Sequence, residues 1–295
     1  MHLGPVGLWT FQLDLLPTPA LKEAVAELES LGYPTLWVPE AGLREALVNS
    51  SLLLSATERM VIATGIANIW GRTAATMAAG QLSLCEAFPD RFLLGLGVSH
   101  QPMVDHVLGQ HYDKPLTKMR GYLDAMDGAL YMAPRPAEPP PRVLAALGPK
   151  MLELAASRAA GAHPYFAPVE HTAVARATLG TGPLLCPEQA VVLSTDPAAA
   201  RAAARQHMAT YLGLPNYTNN LRRLGWGDDD FADGGSDRLV DAIVAWGDEQ
   251  AITARVQAHL EAGADHVCVQ VLGPDATTLP MQQWRELAPA LLSVS

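Results

Sequence analysis

Short apolar runs and longer amphipathic stretches take turns along this chain, and each pattern predicts its own element. GPVGLWTF (residues 4–11) reads as a strand. TPALKEAVAELESLG (18–32) reads as a helix, with Leu21, Ala24, Val25, Leu28 and Leu31 on one face. Thr18 suits its N-cap, Pro19 its first turn and Gly32 its end. Further strands are predicted at 35–40, 60–69, 91–99, 142–148, 162–166, 190–194 and 266–273. Helices are predicted at 73–87, 115–131 and 149–160, and the proline-rich stretch 133–141 reads as a stiff connector.

One unit recurs without strict repetition. LESLGYPTLWV, SRAAGAHPYF and LEAGADHVCVQV each run helix, glycine, turn, apolar strand. Strands alternating with helices imply a parallel sheet. Eight strands over this length favour a (β/α)8 barrel, with an open doubly wound sheet as the alternative. Residues 195–250 do not fit one βα unit and read as helices around a polar, glycine-rich loop, inserted after the seventh strand. The whole chain, 1–295, is expected to form one domain.

Composition narrows the function. The chain has 295 residues, 49% of them apolar, enough for a large core. Its 30 acidic and 20 basic residues give a net charge of −10, which argues against nucleic acid or an anionic membrane as partner. Cys85, Cys186 and Cys268 lie far apart in apolar surroundings and read as buried free thiols. No metal-ligand spacing appears, and Asp228–Asp230 lacks the order of a calcium loop. The N-terminus does not resemble a signal peptide, no run is long enough for a membrane span, and a cytoplasmic location is expected.

FLLGLGVSHQP (92–102) carries a Gly-x-Gly, but a dinucleotide fingerprint needs a third glycine where His100 stands, and needs the first strand. Glycine inside a strand otherwise marks a close approach of backbone or ligand. Ser99 and His100 then stand at the rim of a barrel mouth, where active sites form. Glu40, ending the second strand, and His163, in the sixth, could converge there; histidine is suited to passing a proton. Each also has a structural reading: Glu40 capping the next helix, His163 packing, His100 bonding a loop carbonyl. Arg72 reads as the partner of an acid in the barrel shell. Trp9, Phe11 and Trp37 could floor a flat ligand or pack the core, and Tyr165 shares a face with His163. Gly148 and Pro149 end a strand where Lys150 and Met151 open a helix. The free amides of such a turn can hold a phosphate, with Lys150 as countercharge.

In order and spacing, these segments resemble the luciferase-like superfamily, especially its branch using the deazaflavin coenzyme F420. ESLGYPTLWVPE resembles that family's first helix and second strand. The most specific stretch is VIATGIANIWGRTAATMAAGQLSLCEAFPDRFLLGLGVSH, and LGPKMLELAASRAAGAHPYF and AGADHVCVQVL add to it. This sequence has Pro39-Glu40 where many deazaflavin enzymes show Asp-His. The resemblance implies a TIM barrel, a cofactor phosphate at Gly148–Met151, and a non-prolyl cis peptide against the central ring near Ala67 and Asn68. It also implies hydride transfer to or from a small organic substrate, and a homodimer. FMN-dependent monooxygenation and a cofactor-free binding barrel are the alternatives.

Overall fold

The computed structural model describes residues 1–273 and 275–294. Its strands are β1 (Val6–Trp9), β2 (Thr35–Val38), β3 (Val61–Thr64), β4 (Ala67–Asn68), β5 (Phe92–Gly97), β6 (Arg142–Leu144), β7 (Gly161–Ala162), β8 (Leu184–Leu185), β9 (Glu188–Leu193), β10 (Val244–Gly247) and β11 (Val267–Val271). Its α-helices are α1 (Thr18–Ser30), α2 (Ala46–Leu54), α3 (Ala74–Ala87), α4 (Pro115–Asp127), α5 (Pro149–Arg158), α6 (Val169–Leu179), α7 (Pro197–Leu212), α8 (Pro215–Arg223), α9 (Asp228–Phe231), α10 (Asp237–Ile243), α11 (Glu249–Glu261) and α12 (Met281–Leu291).

All strand pairings are parallel, in the order β10-β9-β11-β1-β2-β3-β5-β6-β7-β8, with β4 beside β5. The path closes into a ring one strand in from its β10 end, because only Cys186 and Pro187 separate β8 from β9. On one side the amides of Leu184, Cys186 and Glu188 donate to carbonyls of Ala160, Ala162 and Pro164; on the other, Asp265 and Cys268 donate to Leu185 and Pro187. The run 184–193 is thus the seventh strand of a closed (β/α)8 ring, longer than the expected 190–194 because the Pro187 break hides its first half.

Strand parity separates two cores. Leu8, Leu36, Phe92, Leu94 and Val267 face outward under the helices, while Trp9, Trp37, Leu93, Val143, Cys186 and Cys268 fill the lumen. Each such burial contributes about 1.5–3 kcal/mol. All three cysteines are free and buried. Gly32 ends α1 at φ +100°, a conformation that a side chain would strain. Pro17 rather than Thr18 takes its cap position, since the helix begins one residue earlier than the pattern implies.

Residues 197–247 leave the ring after β9 as α7 to α10 and return as β10, which pairs with Ala190–Leu193. The β10 strand was expected as helix: its apolar run continues the pattern of α10, so no boundary shows in the letters. Helices α2, α6 and α12, which the pattern did not single out, complete the outer layer. Among the described residues, no helix is long and apolar enough to cross a membrane.

Candidate active site

A cleft of about 550 Å³ opens at the carboxyl ends of the strands, within the size range of small-molecule sites. Strand ends form its floor and α7 and α8 form one wall.

The floor explains the Gly-x-Gly. After Thr64, β3 leaves the ladder through a cis peptide, Gly65–Ile66, and resumes as β4. The Thr64 hydroxyl stands in for the lost pairing: it donates to Gly95 O and accepts from Gly95 N, each at 2.8 Å. A Cβ on Gly95 would lie 1.9 Å from Thr64 O, and one on Gly97 would lie 2.4 Å from the Ile66 side chain. The glycines make room for the bulge of a neighbouring strand. The cis bond lies upstream of Ala67 and Asn68, the residues expected to bear it. Those two form the paired strand β4, are buried, and do not line the cleft.

Ser99, with φ +55°, and His100 stand on the rim as expected. The His100 ring is 5.3 Å from that of Tyr217 on α8, and its buried Nδ1 has no partner. Burial holds its pKa below the ordinary histidine range, with the Asn216 side chain opposing.

His163 is 1% exposed at the cleft floor. Its ring stacks on Trp37 at 4.4 Å, its Nδ1 is 2.7 Å from Cys186 O, and its Nε2 has no partner. Burial lowers its pKa to about 4. Tyr165 packs 5.1 Å from Trp9; its hydroxyl donates to Gln270 Oε1 at 2.8 Å and meets Tyr211 Oη at 2.9 Å. Behind this group Glu188 is buried, accepting from Phe166 N at 3.1 Å, and burial pushes its carboxyl up to about 8.

Glu40 reaches the cleft but is engaged as a brace. Both of its oxygens pair with the Arg72 guanidinium, one at 3.0 Å, and they accept from Asn68 N at 2.7 Å and Ala46 N at 3.3 Å. This ties the end of β2 to β4 and to the first turn of α2. The pairing read for Arg72 and the capping weighed as the alternative for Glu40 are one arrangement, and it leaves Glu40, expected to take part in proton transfer, poorly placed to exchange a proton with a ligand.

At the α5 end, Gly148 caps the helix and both Gly148 and Met151 line the cleft. Pro149 and Lys150 are exposed and turn away from it. The cation beside this turn is instead Arg223 on α8, whose Nη2 lies 3.5 Å from where a Cβ on Gly148 would stand and donates to Asn220 Oδ1 at 3.1 Å. Among the described lining residues Arg223 is the one cation. Arg223, Tyr211, Asn216 and Tyr217 were not singled out in the sequence. The paired arginines closing a short helix with Tyr217 and Leu221 on its buried side were the available signal. Among the described residues, no group of three or more His, Cys, Asp or Glu is placed to hold a metal.

The model of the luciferase-like monooxygenase family matches residues 6–266. A candidate coenzyme F420-dependent oxidoreductase of Mycobacterium tuberculosis is 28% identical over 72% of this chain and 73% of its own. An F420-dependent secondary alcohol dehydrogenase, solved with an F420-acetone adduct, shares the fold at a TM-score of 0.77. It is 15% identical, with 98% of this chain and 99% of that one covered. The FMN-bound oxygenating constituent of the 3,6-diketocamphane monooxygenase of Pseudomonas putida shares it at 0.69 and 15% identity, with 99% of each chain covered.

Proposed function

The chain belongs to the luciferase-like monooxygenase family, and from this premise we propose that it passes a hydride between the deazaflavin coenzyme F420 and a small organic molecule. The carrying observation is that one cleft joins an aromatic-sided floor, where the Glu40 carboxylate is paired with Arg72, to a single cationic end, built from the α5 N-terminus and Arg223. That polarity suits a flat ring with a phosphate tail. The F420 assignment also draws on the Mycobacterium tuberculosis relative.

The residues fit such a group. Free amides at the start of α5 carry partial positive charge, and a guanidinium adds charge-assisted hydrogen bonds, so Gly148 and Arg223 would hold the phosphate. Trp9, Ile66 and Tyr165 would face the ring. A bound deazaflavin supplies the carbon that carries the hydride. The aromatic wall of α7 and α8 keeps water from the floor, and Ser99 and Asn216 offer polar contacts at the rim. His100, with Nδ1 unpartnered, takes or gives the substrate proton. Glu40 holds the rim in shape.

Thermal-shift titration with F420, FMN and NADPH tests this. A cofactor at about 100 times its Kd adds about 2.7 kcal/mol of stability. F420 is expected to stabilise the protein and to be turned over with it. Stabilisation by FMN alone would transfer the reading to a monooxygenase, and none by any of the three would leave a binding barrel.

A further inference from the structure

We infer that His163 is a hydrogen-bond acceptor of fixed tautomer, set in the cleft floor to read a neutral N–H or O–H on the molecule that lies there. It rests on the cleft being the ligand site proposed above, but not on which cofactor binds.

The argument starts from Cys186. Its carbonyl oxygen can only accept, so at 2.7 Å the facing Nδ1 of His163 carries the ring hydrogen. The Cys268 thiol, 3.8 Å from Nδ1, packs on the same side. In the neutral ring Nε2 then holds a bare lone pair. Stacking on Trp37, with planes 16° apart, fixes where that lone pair points. A Cβ on Gly65 would come within 3.0 Å of Nε2, so the atom sits against the bulge of the floor. The nearby indole N–H of Trp9 is spent on Gly65 O at 3.2 Å and cannot serve it.

A buried acceptor without a donor costs free energy, and that cost is recovered when a ligand brings the donor. A carboxylate or phosphate oxygen at the same place would set lone pair against lone pair. Two sources offer the fitting chemistry: the imide N–H of a flavin-type ring, or a hydroxyl on the substrate. The other end of the cleft, at Arg223, is where an anion belongs.

The test follows the imidazole nitrogens of isotopically labelled histidine by NMR in the full chain, with the His163 signal assigned from the His163→Gln variant. The probes are F420, FMN, phenol, anisole and benzoate. The Nε2 resonance is expected to move upfield with a donor-bearing probe and to stay still with anisole and benzoate. Movement with cofactor alone identifies the ring as the source; movement only when phenol is added to cofactor-loaded protein identifies the substrate. In His163→Phe, phenol affinity should fall about 3- to 10-fold while anisole affinity holds. If that variant does not fold, the wild-type spectra still decide. An Nε2 that no probe moves, or one that benzoate moves as far as phenol does, overturns the inference. If phenol moves Nε2 while neither cofactor binds, the inference stands and the cofactor assignment fails.

Discussion

Removing Arg72 while keeping Glu40 should damage the fold more than removing Glu40 itself. The Arg72 side chain is 9% exposed and that of Glu40 16%, so both charges are largely out of water. In Arg72→Met the Glu40 carboxylate keeps only two backbone amides and faces Glu45, which also pairs with Arg72. Stranding a buried charge this way costs about 3–5 kcal/mol. At about 2 °C per kcal/mol for a chain of this size, Tm should fall by roughly 6–10 °C. In Glu40→Gln the guanidinium retains Glu45, and the loss should be about 1–2 kcal/mol. The double variant should be less destabilised than the two singles combined, because both remove the same interaction. Calorimetry supplies the Tm values, and fluorescence titration of the cofactor supplies the functional comparison. Glu40→Gln should bind cofactor within about threefold of wild type. If it abolishes turnover with Tm unchanged, Glu40 belongs to the chemistry and the reasoning is wrong.

Arg223→Ala should weaken a phosphorylated cofactor by roughly tenfold or more and leave riboflavin unaffected, whereas Lys150→Ala should change neither Kd in the same titration. Gly95→Ala forces a Cβ onto Thr64 O and should cost about 3 kcal/mol or more in urea unfolding. In contrast Gly121→Ala, exposed inside α4 with nothing within 4 Å, should gain about 0.5–1 kcal/mol. Stability should peak near pH 7. Burial lowers His163, His207 and His266 to about 4 and His259 to about 3, so as pH falls below 6.5 the unfolded chain takes up protons that the native state refuses. Asp14, raised to about 6, and Glu188, raised to about 8, act in the opposite sense, because the native state keeps protons that the unfolded chain has shed. These four against two leave a net loss of about 2–3 kcal/mol per pH unit between pH 6 and 5, and His100 and His171, also lowered by burial, add to it in the same direction, measurable by urea midpoints. Above about pH 7 Glu188 makes stability fall, joined near pH 9 by the thiols of Cys85, Cys186 and Cys268, which burial also raises, and Glu188→Gln should flatten the first part of that limb.

What the letters disclosed follows from how local each signal is. The strand-helix alternation, the glycine stop at Gly32 and the cap at Gly148 depend on neighbours in sequence, and they could be read directly. Gly95 and Gly97 announced a close approach but not its partner, since Thr64 and Ile66 lie on another strand. A charged residue at a strand end looks the same whether it braces or catalyses; only the position of Arg72 separates the two for Glu40. Lys150 was the nearest cation to the phosphate turn in sequence, and Arg223, far along the chain, is the nearest in space. The break at Pro187 and the strand hidden behind α10 were lost because an apolar run shows no boundary of its own.

The excursion between β9 and β10 has an effect on how such a protein can change. Both of its roots are stitched to the same strand, in register from Val244 with Ala190 to Gly247 with Leu193. A segment anchored at both feet can be lengthened, shortened or rewritten between them at small entropic cost, because closing a longer loop adds only slowly. The floor with Gly65 and His163 belongs to the ring, while Tyr211, Tyr217 and Arg223 belong to the stitched segment. Selection can therefore retailor what the cleft admits while the bed beneath it stays as it was.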